Sequence, residues 1–339
     1  MSGSGAGGIT VFIGGSAGAI EALAELLRRL PGELAAPVMV VLHVGRSGAS
    51  LLPAILDRVG ELHAVSPTDG ESLADGVVYV APRGKHMLIE DRRVRLTEGP
   101  AEHGLRPAID PLFRSAARAC GSRSVGVILS GMLDDGTAGL GEIKARGGLT
   151  LVQAPDEAAF PSMPQSEIAN VEVDYVLPVA ELGEMVAELV SSGSERAATV
   201  HGDPGAPDPP TDVPGGAEPP GMRTDITCPR CGGVLWEDVQ GRFTIYRCLA
   251  GHIYSADSLL AIQGEGLDEA IWRPIRMLHE RGALLRRLAT RATNQRRERS
   301  ADYFNEQAED ALRRAAEMRA ALTDSERHEE PNWARAHRR

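Results

Sequence analysis

Residues 9–44 read ITVFIGGSAGAIEALAELLRRLPGELAAPVMVVLHV. The segment opens on a short apolar run, passes through two adjacent glycines, and continues with apolar residues at helical spacing from Ile20 to Leu30. A second apolar run, PVMVVLHV, occupies residues 37–44. Continuously apolar strands that alternate with amphipathic helices are typical of a parallel sheet covered by helices on both faces. The segment therefore predicts a β-α-β unit.

The same alternation continues to about residue 190. Further β-like runs lie at residues 76–81, 86–89, 125–130, 149–153 and 175–177. Helical patterns lie at residues 51–59, 109–120, 138–145 and 179–190. The predicted fold class is α/β: a doubly wound, mostly parallel sheet in a Rossmann-like three-layer arrangement.

A Pro/Gly-rich segment divides the chain. Residues 202–221 hold seven Pro and five Gly in twenty positions, a composition that favours an extended, solvated linker. The predicted organisation is a disordered start (1–8), the α/β domain (9–192), the linker (193–222), a small Cys-rich module (223–262), a helical extension (263–325) and a frayed tail (326–339). Because proline breaks a helix interior, we expect Pro274 in the first turn of a helix.

Charge and composition exclude several classes of protein. The 339 residues carry a net charge of −11, with −10 in residues 1–195, −6 in 196–272 and +5 in 273–339. An acidic chain is a poor general binder of nucleic acid, because phosphate neutralisation needs a surplus of Lys and Arg. No apolar run approaches the ~18 residues of a membrane span, and the start does not resemble a signal peptide. Four Cys fit a reducing compartment, so we expect a cytoplasmic protein whose oligomeric state stays open.

In an open α/β sheet, ligands bind beyond the carboxyl ends of the strands. The first strand ends in Gly14-Gly15-Ser16-Ala17-Gly18, a G-x-S-x-G pattern that can expose a serine hydroxyl at a strand-to-helix turn. Ser16 would then be a nucleophile beside the free amides of a helix N-terminus, which can stabilise an oxyanion. The alternative is that Ser16 only caps the helix.

Two other strand ends carry matching chemistry. His43 closes the strand at 38–42, either as a structural histidine or as a general base. Asp134 and Asp135 follow the strand at 125–130, and one of them could be a helix cap. Together the three ends supply a nucleophile, a base and an orienting carboxylate for acyl transfer. Their chain order, Ser-His-Asp, differs from the Ser-Asp-His order of α/β-hydrolases.

Several stretches resemble one known family. They are IGGSAGAIEAL, the LHV step at His43, GVVYVAPRGKHMLI, RPAIDPLFRSAA, GVILSGMLDDGTAGL, the strand at 147–153 and FPSMPQSEIA. In order and spacing, residues 8–192 resemble the catalytic domain of the chemotaxis protein-glutamate methylesterase family. The resemblance implies hydrolysis of γ-glutamyl methyl esters on chemoreceptors, with deamidation of glutamines by some members.

The resemblance also implies roles for individual residues. It places the nucleophile at Ser16, the base at His43 and the orienting carboxylate at Asp135, with Asp134 ranked second. Met132 would line the site beside the oxyanion. Arg106, His86 and Arg83 lie in matched stretches as candidate contacts for an acidic receptor helix, although a solvated surface role is equally open for them. No cofactor is expected for catalysis.

The family's usual regulator is not expected here. Many members carry a phosphorylatable receiver domain before the catalytic domain, whereas about eight residues precede the first predicted strand. We therefore expect that an attached receiver does not switch this chain, and that its substrate need not be a chemotaxis receptor.

The Cys-rich module has the spacing of a metal site. Cys228 and Cys231 form a C-x2-C pair, Cys248 and His252 form a C-x3-H pair, and sixteen residues separate the two pairs. Two such pairs joined by β-like segments suit a structural, tetrahedral Zn²⁺ ribbon with no open coordination position. The alternative is a small metal-free hairpin with buried thiols.

Two function classes remain. The leading hypothesis is a serine-triad protein-glutamate methylesterase whose partner is a methylated chemoreceptor or related signalling protein. The alternative is a catalytically weak relative that serves as a zinc-dependent signalling adaptor. A Rossmann-like nucleotide binder is disfavoured because the first turn lacks a G-x-G-x-x-G fingerprint.

Overall fold

The computed structural model describes residues 8–43, 51–196, 218–240 and 243–328. Most of the predicted start, most of the predicted linker and the tail beyond residue 328 lie outside these ranges. Two compact units make up the chain, one through Leu260 and one from Ala261.

The first unit contains the predicted α/β domain. Its strands are β1 (Thr10–Gly15), β2 (Val38–Leu42), β3 (His63–Val65), β4 (Val77–Val80), β5 (His86–Glu90), β6 (Arg93–Thr97), β7 (Ser124–Ile128), β8 (Leu149–Gln153) and β9 (Tyr175–Leu177). Its helices are α1 (Ala19–Leu27), α2 (Leu52–Leu56), α3 (Ile109–Cys120), α4 (Thr137–Ala145), α5 (Ser162–Asn170) and α6 (Val179–Arg196). The α/β class with a Rossmann-like layered sheet is confirmed.

Seven of these strands form one sheet in the order β3-β4-β2-β1-β7-β8-β9, and every neighbouring pair is parallel. β5 and β6 form a separate antiparallel hairpin. The chain builds outward from β1 through β2 and then returns to β7 on the other side of β1. The strand order thus reverses at β1, which opens a crevice at its carboxyl end.

Helices cover both faces of the sheet. Alternate residues of β1 face opposite layers: Val11 and Ile13 pack with α1 and α6, whereas Phe12 packs with α3, α4 and α5. Gly14 allows the start of α3 to lie directly against β1, since a Cβ there would come within 2.5 Å of the Ile109 side chain. This close approach brings the N-terminus of α3 to the carboxyl edge of the sheet.

The sequence pattern did not reveal every element. β3 has only three residues and β6 is partly exposed, so neither gives a clear apolar run. α5 contains Pro164 but places it in the first turn, where its missing N–H costs nothing.

A four-stranded antiparallel sheet follows in the same unit. Its strands are β10 (Met222–Thr227), β11 (Val234–Gln240), β12 (Phe243–Cys248) and β13 (Ile253–Ser255), in sequential order. We call these strands together with residues 256–260 the ribbon-like module.

The second unit consists of most of α7 (Ala256–Asn294) and α8 (Glu298–His328). The two helices pack antiparallel along a seam of small residues, with Ile275 against Ala315 and Gly282 beside Leu312. The expectation for Pro274 was wrong, because this residue lies inside α7. Packing of the apolar stripe against α8 outweighs the one backbone hydrogen bond that proline removes. No helix among the described residues is long and apolar enough to cross a bilayer.

The buried sheet should dominate the stability of the first unit. Val127 in β7 is fully buried, whereas Val176 in the edge strand β9 is 42% exposed. We expect Val127→Ala to lower the free energy of unfolding by about 2 kcal/mol through lost apolar burial and a residual cavity. Val176→Ala is the matched control and should change it by less than ~0.5 kcal/mol. Urea unfolding followed by circular dichroism measures both, and equal effects would contradict this assignment of the core.

Candidate active site

Ser16 follows the carboxyl end of β1, at the reversal of strand order. Its backbone N–H donates to the carbonyl of Ser130 at 3.0 Å, which ties the turn to the segment after β7. The N-cap of α1 is Gly18, with a φ of 72°, and no side chain caps the helix. The alternative role of Ser16 as a helix cap therefore finds no support in this geometry.

His43 follows β2, the strand adjacent to β1. Gly15 pairs with Leu42, and the N–H of His43 donates to the carbonyl of Gly15 at 3.1 Å. Ser16 and His43 thus directly follow paired residues of neighbouring strands, which lie ~4.8 Å apart. The His43 side chain is only 9% exposed.

Asp135 meets His43 from the other side of β1. Its Oδ2 lies 2.9 Å from Nε2 of His43, a close polar contact whose angle falls short of a hydrogen bond. The same carboxylate accepts hydrogen bonds from the backbone N–H groups of Ile109 (2.8 Å) and Asp110 (3.0 Å). Asp135 therefore caps the start of α3 from a distant segment, and the helix dipole favours its negative charge.

A second carboxylate, that of Asp110, caps the start of α4 in the same way. Asp110, in the first turn of α3, accepts a hydrogen bond from the N–H of Gly139 in α4 at 2.7 Å. Each of the two helix starts is thus held by an aspartate from the segment that begins the other. His103 lies between the two carboxylates, with Nε2 2.9 Å from Oδ2 of Asp110 and 3.9 Å from Oδ1 of Asp135.

The charges in this buried region are compensated in a definite way. Burial alone would raise the pKa of Asp135, but contact with His43 and the charge of His103 hold it well below its usual range. Burial alone would lower the pKa of His103, yet the hydrogen bond to Asp110 and the charge of Asp135 raise it to about 10. Both groups are therefore ionised at neutral pH.

Two other carboxyls behave differently. Burial raises the pKa of Asp134, whose Oδ1 accepts a hydrogen bond from Oγ of Ser255 at 2.8 Å. Glu167 is fully buried, and burial together with the charge of Asp110 raises its pKa well above the usual range. Asp134 thus faces the ribbon-like module, while Asp135 faces His43.

The residues that the sequence suggested as substrate contacts differ in their exposure to solvent. Met132 is 54% exposed on the loop after β7, next to the turn that holds Ser16. Arg106 directs Nη1 to the carbonyls of Glu98 (2.6 Å) and Gly99 (2.7 Å), so that this nitrogen braces its own loop.

His86 does not fit its predicted role as a contact for a receptor helix. It is buried, its Nδ1 accepts from the N–H of Ala108 (3.3 Å), and its Nε2 lies 2.9 Å from the carbonyl of Pro100. Burial lowers its pKa, so the ring is neutral. With both nitrogens engaged inside the protein, His86 holds the loop before α3 in place.

The four sequence-predicted metal ligands lie together in the ribbon-like module. The candidate ligand atoms of Cys228, Cys231, Cys248 and His252 all lie within 4.8 Å of one another. Nδ1 of His252 is 3.4 Å from Sγ of Cys248 and 3.7 Å from Sγ of Cys228, and the Sγ atoms of Cys231 and Cys248 are 3.6 Å apart. Tetrahedral coordination at usual Zn–S and Zn–N lengths separates its ligands by ~3.5–3.8 Å, so the four residues fit zinc.

A second cluster of possible ligands comprises Glu102, His103 and Asp110. Both oxygens of Glu102 accept from Nη2 of Arg114 at 2.6 Å, and Nε2 of His103 is taken by Asp110. These groups are already paired with one another, so the cluster is a salt-bridge network.

Sequence reasoning assigned no role to His103, Asp110, Glu167 or Ser258. Asp110 ends the RPAID stretch, and its position in the first turn of a predicted helix could have indicated a structural role for its carboxylate. The other three have no local signal, because their partners are distant in sequence.

Comparison with known proteins agrees with this fold and identifies the family. The family model of CheB methylesterase matches residues 11–186. A relative from Leptospira interrogans is 35% identical over 187 residues, covering 55% of this chain and 97% of that protein. A Clostridium acetobutylicum protein named protein-glutamate methylesterase/protein-glutamine glutaminase is 35% identical over 184 residues, with 53% of this chain and 52% of that protein covered.

A solved structure is similar to this chain in both fold and sequence. The crystal structure of the Thermotoga maritima CheB methylesterase catalytic domain aligns with a TM-score of 0.52 and 33% identity, covering 54% of this chain and 99% of that one. The fold and site define a hydrolase of carboxylic esters. The chain belongs to the CheB methylesterase family.

The ionised state of Asp135 should stabilise the fold at neutral pH. Since its folded pKa lies below the unfolded value, its contribution is complete above about pH 4 and is lost as the pH falls toward the folded pKa. We expect Asp135→Asn to lower the free energy of unfolding at pH 7, with a smaller difference from wild type at pH 3. Asp134→Asn is the control and should cost less at pH 7, because burial disfavours the charge of Asp134. Urea transitions at the two pH values measure this, and a pH-independent difference would contradict it.

Proposed function

We propose that this protein is a cytoplasmic protein-glutamate methylesterase that hydrolyses γ-glutamyl methyl esters on chemoreceptor-like signalling proteins, with glutamine deamidation as a second activity. The 2.9 Å contact between His43 and Asp135, beside a serine at the adjacent strand end, carries this proposal. The names of relatives such as the Clostridium protein support the substrate class.

In the proposed chemistry, Ser16 is the nucleophile, His43 is the general base and acid, and Asp135 orients His43. Nε2 of His43 faces Asp135, so Nδ1 is the nitrogen that takes the hydroxyl proton of Ser16. The serine oxygen attacks the ester carbonyl, and the protonated His43 gives its proton to the departing methoxide, which leaves as methanol. His43 then takes a proton from water, the hydroxide attacks the acyl-enzyme, and His43 returns the proton to the Ser16 oxygen as the free glutamate leaves. Asp135 stays ionised and stabilises the imidazolium that forms.

Backbone amides are available for the oxyanion. Among the described residues, the N–H groups of Ala17 and Gly18 have no backbone acceptor, and they immediately precede α1. Free amides at a helix start favour negative charge, so we assign the tetrahedral oxyanion to this turn.

An exposed apolar rim suits a protein substrate. Met132, Leu133 and Phe160 are 54%, 38% and 42% exposed. The loop that carries Met132 and Leu133 is joined to the loop that carries Phe160, because Gly131 N–H donates to the carbonyl of Phe160 at 3.0 Å. Apolar side chains beside the nucleophile fit one face of an amphipathic helix that carries the modified glutamate.

The adaptor alternative predicts a disrupted catalytic centre. The placement of His43 beside Asp135, at the strand end next to Ser16, favours the enzyme, because a disrupted centre would have no need to keep these three residues together.

We also propose that Cys228, Cys231, Cys248 and His252 hold a structural Zn²⁺. Four protein ligands leave no open position, so the metal would stabilise the ribbon-like module without taking part in ester hydrolysis. The β10–β13 sheet buries few large side chains, which makes a metal staple physically reasonable.

Methanol release tests the esterase proposal. A methylated chemoreceptor fragment incubated with wild type should release methanol, whereas Ser16→Ala should slow release by about 10⁴-fold or more, because the nucleophile is removed. Ser191→Ala, at an exposed serine of α6, is the matched control and should retain full activity. Equal release by Ser16→Ala and wild type would reject the nucleophile; no release by folded wild type would favour the adaptor.

Metal analysis tests the zinc proposal. The purified chain should contain about one zinc per molecule, and Cys228→Ser should lose most of it because three ligands hold zinc more weakly than four. Cys120→Ser changes the one cysteine outside the cluster and should keep its zinc. Zinc-free wild type with an intact ribbon-like module would contradict the proposal.

A further inference from the structure

The ribbon-like module is seated on the loop that precedes α3. Glu102 forms a parallel β-bridge with Ile253, and the N–H of His103 donates to the carbonyl of Ile253 at 2.7 Å. Gly251 lies against Pro100 so closely that a Cβ at 251 would come within 2.8 Å of the proline ring. The module therefore packs on the loop that leads into α3, the helix whose first backbone amides donate to the Asp135 carboxylate.

His103 joins the two parts through its side chain. Its Nδ1 lies 3.0 Å from Oγ of Ser258 in the module, while Nε2 lies between Asp110 and Asp135. Ser258 is fully buried, and its Oγ lies 3.2 Å from the carbonyl of Ser255, to which it can donate. The hydroxyl can then accept from Nδ1–H of a protonated His103, which gives the imidazolium a partner on each side. The N–H of Ser255 lies 2.9 Å from this hydroxyl oxygen and 3.4 Å from Nδ1, and it donates to the nearer hydroxyl oxygen when Nδ1 carries a proton.

The backbone of His103 also depends on the module. Its φ is 51°, in the left-handed region that non-glycine residues seldom adopt. Such a conformation persists where surrounding contacts hold it, and the hydrogen bond to Ile253 is one of them.

We infer that His103 is a positioning residue for Asp135, and that the ribbon-like module holds His103 in place through Ser258 and the carbonyl of Ile253. The inference rests on the proposed role of Asp135 as the residue that orients His43. It gives the module a direct part in the catalytic geometry.

The electrostatic surroundings agree with this role. Asp135 faces the imidazoles of His43 and His103, and the carboxyls of Asp110, Asp134 and Glu167 also influence the region. Arg114, paired with Glu102, adds positive charge beside Asp110. Without the His103 cation, the carboxylates of Asp110, Asp134 and Asp135 would repel one another. The pKa of Asp135 would then rise.

Steady-state kinetics test the inference. His103→Gln should lower kcat for methanol release about tenfold, because Asp135 loses a charged neighbour but keeps its two backbone amides. KM should stay within about twofold, since His103 is buried away from the protein substrate. The control is His63→Gln, which breaks an exposed histidine–aspartate pair (2.6 Å to Asp57) and should change neither constant.

A second measurement does not depend on the substrate. Titration of the Asp135 carboxyl by ¹³C NMR should give a higher pKa in His103→Gln than in wild type, and an unchanged pKa in His63→Gln. A protein that releases no methanol but shows this shift would reject the proposed function while the positioning role stands.

Ser258→Ala isolates the contribution of the module. It keeps the imidazole but removes its partner in the module, so we expect a smaller rise in the pKa of Asp135 and a smaller fall in kcat. Ser191→Ala is its control. Should His103→Gln fail to fold, Ser258→Ala decides alone. An Asp135 that titrates as in wild type in every folded variant would overturn the inference.

Discussion

The geometry of the candidate site depends on the buried carboxylate of Asp135. This carboxylate accepts hydrogen bonds from two backbone amides at the start of α3 and lies 2.9 Å from the imidazole of His43. These contacts fix α3 against the segment after β7 and orient the side chain after β2. A carboxylate so placed remains charged despite burial, because amide dipoles and imidazoles replace the water it has lost.

Concentrating carboxyls in one buried region requires compensation. The His103 cation faces both Asp110 and Asp135, His43 contacts Asp135, and Arg114 pairs with Glu102 at the edge. Glu167 is fully buried with a raised pKa, and a protonated, neutral acid there adds no further charge. The ribbon-like module completes this network by supplying Ser258 to His103 and Ser255 to Asp134.

The local pattern predicted the fold well where elements bury one continuous face. β1, β2, β8 and α3 appear where apolar runs and helical spacing placed them. The pattern failed where tertiary contacts override local preference. Pro274 lies inside α7 because the helix packs along α8, and β3 is a three-residue strand defined by its pairing with β4.

The candidate site divides in the same way. Ser16, His43 and the Asp134-Asp135 pair stand at strand ends, and the parallel α/β topology brings strand ends to one edge, so residue types and spacing were enough to nominate them. The sequence did not show which of the two aspartates faces His43. That is decided by the contact between α3 and the segment after β7, where Asp135 accepts from the first amides of α3. His103 and Ser258 had no signal because they are 155 residues apart and meet through a hydrogen bond.

By itself the sequence determined the α/β sheet, the strand ends that form the candidate site and the paired Cys/His spacing, because each of these depends on residues that are neighbours in the chain. The tertiary structure alone decided the charge of Asp135, the burial of His86 and the seating of the ribbon-like module beside the site. Those properties arise from contacts between distant segments, whose distances and desolvation no local pattern contains.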